Sequence, residues 1–156
     1  MKKTLLAIFL LTACSRAVTT TTSSPVGAPS PTVSHMTGAA TPRAAVEQFL
    51  NAVHAQDIQA MSVIFGTNKG PSRDNMDREE LEKRLIILQC YFGHDKFRIL
   101  GETVGEGGHR VVATELTRGT NIRTPRFYAI QGPSNRYYVD NMEIAAVRDF
   151  CRGTNR

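Results

Sequence analysis

Residues 96–143, KFRILGETVGEGGHRVVATELTRGTNIRTPRFYAIQGPSNRYYVDNME, decide the fold. Four runs alternate apolar and polar side chains: Lys96–Thr103, Arg110–Thr117, Ile122–Gln131 and Arg136–Glu143. Between them stand three clusters of turn residues, Gly105-Glu106-Gly107-Gly108, Arg118-Gly119-Thr120-Asn121 and Gly132-Pro133-Ser134-Asn135. Alternation interrupted by short glycine-rich connections reads as consecutive hairpins, so the four runs predict an antiparallel meander. Pro125 has no N–H for a ladder and places an edge or a bulge inside the third run.

Upstream of Gly93 the period is helical. Thr41-Pro42 starts a helix, with a threonine cap and proline at the first helical position. Ala45, Val46, Phe49, Leu50 and Val53 then form one apolar face. Asp57 caps a short second helix bearing Ile58, Met61, Ile64 and Phe65, which Gly66 stops. Residues 67–75 (TNKGPSRDN) read as a loop. Asp77 followed by Glu80 has the logic of a capping box and opens a third helix. Leu81, Leu85 and Leu88 form its stripe, with Ile86 and Ile87 beside them. Helices followed by strands predict an α+β domain.

Upstream of Thr41 the chain changes character. Lys2 and Lys3, the apolar run Leu5–Leu11 and the small residues Thr12-Ala13 before Cys14 have the order of a secretory signal. The apolar run is too short to span a bilayer. Leu11-Thr12-Ala13-Cys14 resembles the lipobox of bacterial lipoproteins. That resemblance implies residues 1–13 as a removed signal peptide, lipid on the sulfur of Cys14, and a mature chain beginning at Cys14. It further implies attachment at the periplasmic face of the outer membrane in a Gram-negative cell, because Ser15 is not aspartate, and otherwise at the outer face of the cell membrane. Residues 14–40 are rich in Thr, Ser, Pro, Gly and Ala, with no acidic or aromatic residue. Such a stretch buries too little apolar area to offset its ordering entropy, which predicts a disordered tether. The domain proper is expected over 41–156.

Within that domain, Ala44–Val53, Gln56–Met61 and the closing run Tyr137-Tyr138-Val139-Asp140-Asn141-Met142 are similar to the nuclear transport factor 2-like superfamily, also called cystatin-like or ketosteroid-isomerase-like. The resemblance implies about three N-terminal helices packed on a curved four-stranded antiparallel sheet, a cone-shaped roll with a cavity. It says little about function, since the superfamily hosts enzymes, transport factors and secretion-system parts.

The residues themselves narrow the chemistry. With 19 Lys and Arg against 14 Asp and Glu the chain is formally +5, but Lys2 and Lys3 lie in the signal and Arg16 in the tether. The pI is therefore no argument for nucleic-acid binding, which would need a clustered basic face. With Cys14 assigned to lipid, Cys90 and Cys151 remain. An even pair in an oxidising compartment predicts one disulfide, joining the end of the third helix to the chain terminus; two free thiols, or a redox pair without C-x-x-C spacing, are the alternatives. His54, His94 and His109 have no metal-ligand spacing, so neither a metal nor another cofactor is expected. A ketosteroid-isomerase-type site would draw on Asp57, Asp140, Tyr91, Tyr128 and Tyr138. Asp57 is better explained as a cap, and Asp140 as the partner of an arginine, so no catalytic residue is assigned. Residues 96–136 hold seven basic side chains against three acidic ones, whereas residues 41–95 hold six against eight. Arg110, Arg118 and Arg126 are the candidate face for an anionic envelope component, the alternative being a solvated sheet surface with edge charges. The expected function is a membrane-anchored binding or scaffolding protein of the cell envelope. The rival is a small-molecule carrier or an isomerase- or dehydratase-type enzyme using the cone cavity. A cavity filled by Phe49, Val53, Leu85 and Tyr128 would favour the scaffold. A deep polar pocket would favour the rival, and an exposed apolar patch a subunit of a larger machine.

Overall fold

The computed structural model describes residues 37–152; Cys14, the signal peptide and the tether as far as residue 36 lie outside them. The domain is α+β with antiparallel sheets. Helix α1 (Pro42–His54) begins where Thr41 Oγ1 accepts the Ala44 N–H. It ends in a Schellman turn, in which the Gln56 N–H bonds Val53 O and the Asp57 N–H bonds Ala52 O. Gln56 holds the left-handed position there, at φ 56°, where glycine is usual. Asp57 then caps α2 (Ile58–Ile64) by accepting from Ala60 N–H.

Residues 67–75 are not a plain loop. Strands β1 (Gly66–Thr67) and β2 (Gly70–Pro71) form a minimal hairpin, followed by the single turn α3 (Ser72–Asn75). Gly66 serves this hairpin rather than a helix cap, because a Cβ there would stand 2.4 Å from the Gly70 carbonyl oxygen. Helix α4 (Arg78–Phe92) is capped by Asp77, which accepts from the N–H groups of Glu79 and Glu80. Leu81, Leu85, Leu88 and Phe92 face the core. Ile86 and Ile87 do not join them: they are 51% and 54% exposed.

The meander comprises β3 (Lys96–Val104), β4 (His109–Arg118), β5 (Asn121–Arg123), β6 (Arg126–Gln131) and β7 (Tyr137–Met142). The order is β3-β4-β6-β7, with β5 paired to the far end of β4. The expected third strand is thus two strands broken at Thr124-Pro125. The break is held by Thr114, whose N–H and Oγ1–H both bond the Pro125 carbonyl. Among the described residues there are five helices and a five-stranded sheet, where about three helices and four strands were expected. The differences are the short pieces α3, α5 (Arg148–Arg152) and β5. Two bulges bend the ladder, one at Leu100 in β3 and one at Asp140 in β7.

Residues 37–40, expected to be the end of the tether, belong to the fold. Ala39 exchanges both backbone hydrogen bonds with Tyr137 at 2.9 and 2.8 Å, and its side chain is fully buried. Arg136 Nη2 donates to Gly38 O, and the hydroxyls of Thr37 and Tyr138 meet at 3.0 Å. Gly38 is required: φ is +71°, and a Cβ would lie 2.7 Å from the Tyr138 ring.

Candidate functional site

The core face of the sheet meets α1, α2 and α4 through large aromatic side chains. Phe127 on β6 lies between Phe92 of α4 (ring centroids 5.1 Å apart) and Phe49 of α1 (6.1 Å). Phe49, Val53, Leu85, Phe92 and Phe127 are at most 1% exposed. Tyr128, expected to help fill this space, is on the other face of β6, since its neighbours Phe127 and Ala129 are fully buried and it is not. Aromatic packing thus occupies the space between helices and sheet, and clefts of about 300–430 Å³ open on the domain's surface.

The outer face of the sheet carries an imidazole–carboxylate pair. The β7 bulge leaves Asp140 outside the ladder register. Its Oδ2 lies 2.7 Å from His109 Nε2, while His109 Nδ1 lies 2.9 Å from the Glu106 carbonyl. The Tyr128 ring stands edge-on to the imidazole at 6.3 Å. Asp140 therefore pairs with a histidine and not, as expected, with an arginine. Both ring nitrogens of His109 face acceptors, and the doubly protonated ring satisfies both at once. The Asp140 hydrogen bond, with smaller help from the Glu106 carbonyl, outweighs partial burial and raises the His109 pKa. An imidazole so engaged has no free nitrogen to serve as a general base. The pair is a brace between the β3–β4 turn and β7.

That brace sets a pH dependence. Because the folded-state pKa is raised, its contribution is complete below the ordinary histidine value of about 6.5 and is lost as pH rises through the folded value. Urea-unfolding midpoints should fall on passing from acid to mildly alkaline pH in the wild type, with a smaller fall in His109→Gln. A difference between the two that stays constant with pH would show that the pair is not ionic.

The three candidate arginines do not form a common face. Arg110 and Arg118 share a face of β4 with Val112 and Leu116, but they stand at its two ends, about 27 Å apart at the usual rise. Arg126 adjoins core-facing Phe127 and so points to the opposite side. Arg110 pairs with Glu102 at 2.8 Å and Arg126 with Glu143 at 3.1 Å. The Arg126 guanidinium holds the Glu143 carboxyl below its ordinary range. Arg98 and Arg123 pair likewise, with Glu115 and Asp149. Four of the seven basic side chains of residues 96–136 are thus held in ion pairs at the surface, each of small energetic weight.

Arg118 differs. Its Nη1 donates to the carbonyls of Cys90 and Phe150, next to the Cys90–Cys151 pair. The two sulfur atoms are 1.96 Å apart and the Cα atoms 5.0 Å, disulfide geometry. The bond joins α4 to α5 at a corner that also holds two histidines. His54 Nδ1 donates to the His94 carbonyl at 2.9 Å, His94 Nδ1 donates to the Phe92 carbonyl at 2.8 Å, and the rings are 5.5 Å apart. Burial lowers the His94 pKa, outweighing the Phe92 carbonyl, so this ring is neutral at physiological pH. A cleft of about 410 Å³ runs beside His54, Gln56, Gln89, His94, Asp95 and Arg118. His54 and His94 show no ligand spacing in the sequence, and no local pattern connects residues 40 apart. Among the described residues no three metal-ligating side chains converge, and no helix is long and apolar enough to cross a membrane. No protein-family model matches the chain, and no curated protein matches it.

Proposed function

We propose that the protein is a lipid-anchored envelope protein whose folded domain binds or scaffolds and is not an enzyme. In this reading Cys14 carries the anchor, the following residues are a spacer, and residues 37–152 form a nuclear transport factor 2-like roll. Helices α1, α2 and α4 would correspond to the three helices of that family, and β3, β4, β6 and β7 to its curved sheet. The observation that carries the non-catalytic part is the packing of Phe49, Phe92 and Phe127 in the space where the family resemblance implies a cavity. A partner is then met at the surface clefts. The carboxylates considered for catalysis have other work: Asp57 caps a helix and Asp140 braces His109.

The anchor is tested by fractionation. Wild-type chain expressed in a bacterium should sediment with membranes, with lipid on Cys14 by mass spectrometry. Cys14→Ser should leave the membrane fraction while the domain keeps its melting temperature. An unmodified N-terminus at any residue other than Cys14 would overturn the anchor. Tight, saturable uptake of an apolar dye by the native domain would overturn the packed-interior reading.

A further inference from the structure

We propose that the cleft beside the Cys90–Cys151 disulfide binds a small hydroxylated anion, its carboxylate or phosphate group meeting Arg118 and a hydroxyl meeting His54. The proposal begins with charge. Arg98, Arg110, Arg123 and Arg126 each have a carboxylate partner. Arg118 has none among the described residues, although it is only partly exposed. The carbonyls of Cys90 and Phe150 orient its Nη1 without cancelling the charge. The Nε and Nη2 donors keep no hydrogen-bond acceptor among the described residues, and the side chain borders the 410 Å³ cleft. A fixed guanidinium with donors to spare matches the fork of a carboxylate or phosphate. The acid in the lining, Asp95, does not take this role: its Oδ2 accepts the Gly119 N–H, and it makes no ion pair with Arg118.

The second half of the site is polar. A carbonyl can only accept, so the bond from His54 Nδ1 to His94 O places the ring hydrogen on Nδ1 and leaves Nε2 of the neutral ring as an acceptor. An acceptor suits a ligand O–H rather than the anionic oxygen itself. Gln56 supplies an amide at the same cleft from a backbone conformation in which glycine would be easier. The volume lies within the range of small-molecule sites. This site is separate from the aromatic interior and does not depend on the anchor, so its failure would leave Cys14 and the packed core untouched.

Isothermal titration of the full chain with four probes tests the site. Glucuronate joins a carboxylate to hydroxyls and glucose 1-phosphate joins a phosphate to them; acetate and glucose carry one half each. The expected result is binding of glucuronate or glucose 1-phosphate with Kd below about 1 mM, and binding of acetate and glucose at least about tenfold weaker. Whichever compound anion binds identifies the group recognised. Arg118→Met should weaken binding by about ten- to a hundredfold, the range for a hydrogen-bonded charge. Because Arg118 also ties α4 to α5, His54→Phe is the second variant: its side chain is exposed, and it should lose the preference for the hydroxylated anion over acetate while still unfolding cooperatively, a few degrees lower for the lost bond to His94 O. Absence of binding by both compound anions would overturn the proposal, as would affinity unchanged in both variants.

Discussion

Replacing Cys90 and Cys151 together by serine should lower the free energy of unfolding by about 4 kcal/mol. The pair is 61 residues apart, and closing a loop of that length removes about this much chain entropy from the unfolded state. The bond also keeps in place a helix that has little else. α5 is five residues long, well below the length at which a helix is stable alone. Its docking rests on Phe150, which is 3% exposed, on Val147 just before it, on the Arg118 bond to Phe150 O and on the surface ion pair of Asp149 with Arg123. For a domain of this size the loss corresponds to a fall in melting temperature of roughly 15–25 °C. Urea titrations of the oxidised wild type and of the double-serine variant measure it. A loss under about 1 kcal/mol would mean that α5 docks by side-chain packing alone and that the bond adds no constraint.

Truncating Phe127 to alanine should cost about 3–5 kcal/mol, the usual range for a large buried aromatic. The ring is fully buried and in contact with two others, so its removal takes away transfer free energy, leaves a cavity, and breaks two tilted aromatic contacts. Phe49→Ala should cost a similar amount. The double variant should cost less than the two singles added, since both open the same space. Tyr128→Ala, one residue along β6 on the opposite face, should cost about 1 kcal/mol or less beyond its contact with His109. Equal losses for Phe127→Ala and Tyr128→Ala would mean that the alternation of β6 is misassigned by one residue.

Features that depend on neighbours within a few residues were legible in the sequence. Thr41 and Asp57 cap α1 and α2 through their own side chains, and Asp77 caps α4. Pro125 signalled an interruption because a missing N–H is a local fact, and the chain there does break into β5 and β6. What was not legible depends on residues distant in sequence. Tyr137–Met142 alternates as an ordinary strand would, and only its pairing with β6 shows that Asp140 is the extra residue of a bulge. The partner of Asp140 is His109, 31 residues earlier, where the expectation was an arginine; no local pattern spans that separation. Gly66 is a stop signal by composition, but its need arises from Gly70 O across a hairpin too short to register as alternation. Parity along β4 does put Arg110 and Arg118 on one face. It says nothing of the carboxylates that reach Arg110 and Arg126, or of the two carbonyls that take Arg118 instead. The composition of residues 37–40 is that of the stretch before them, and their order comes from β7, about a hundred residues downstream.

The attachment of residues 37–40 to β7 has a mechanical consequence. A pull on the chain ahead of Thr37 does not reach α1 first. It loads the paired hydrogen bonds between Ala39 and Tyr137, the Arg136 contact to Gly38 O and the Thr37–Tyr138 hydroxyl pair. Tension is thus transmitted into the sheet at its β7 margin, whose strand is backed along its whole length by β6. These few bonds act as a strain relief, like the clamp where a cable enters its housing: the first helix, which contributes Phe49 and Leu50 to the core, stays unloaded until they part.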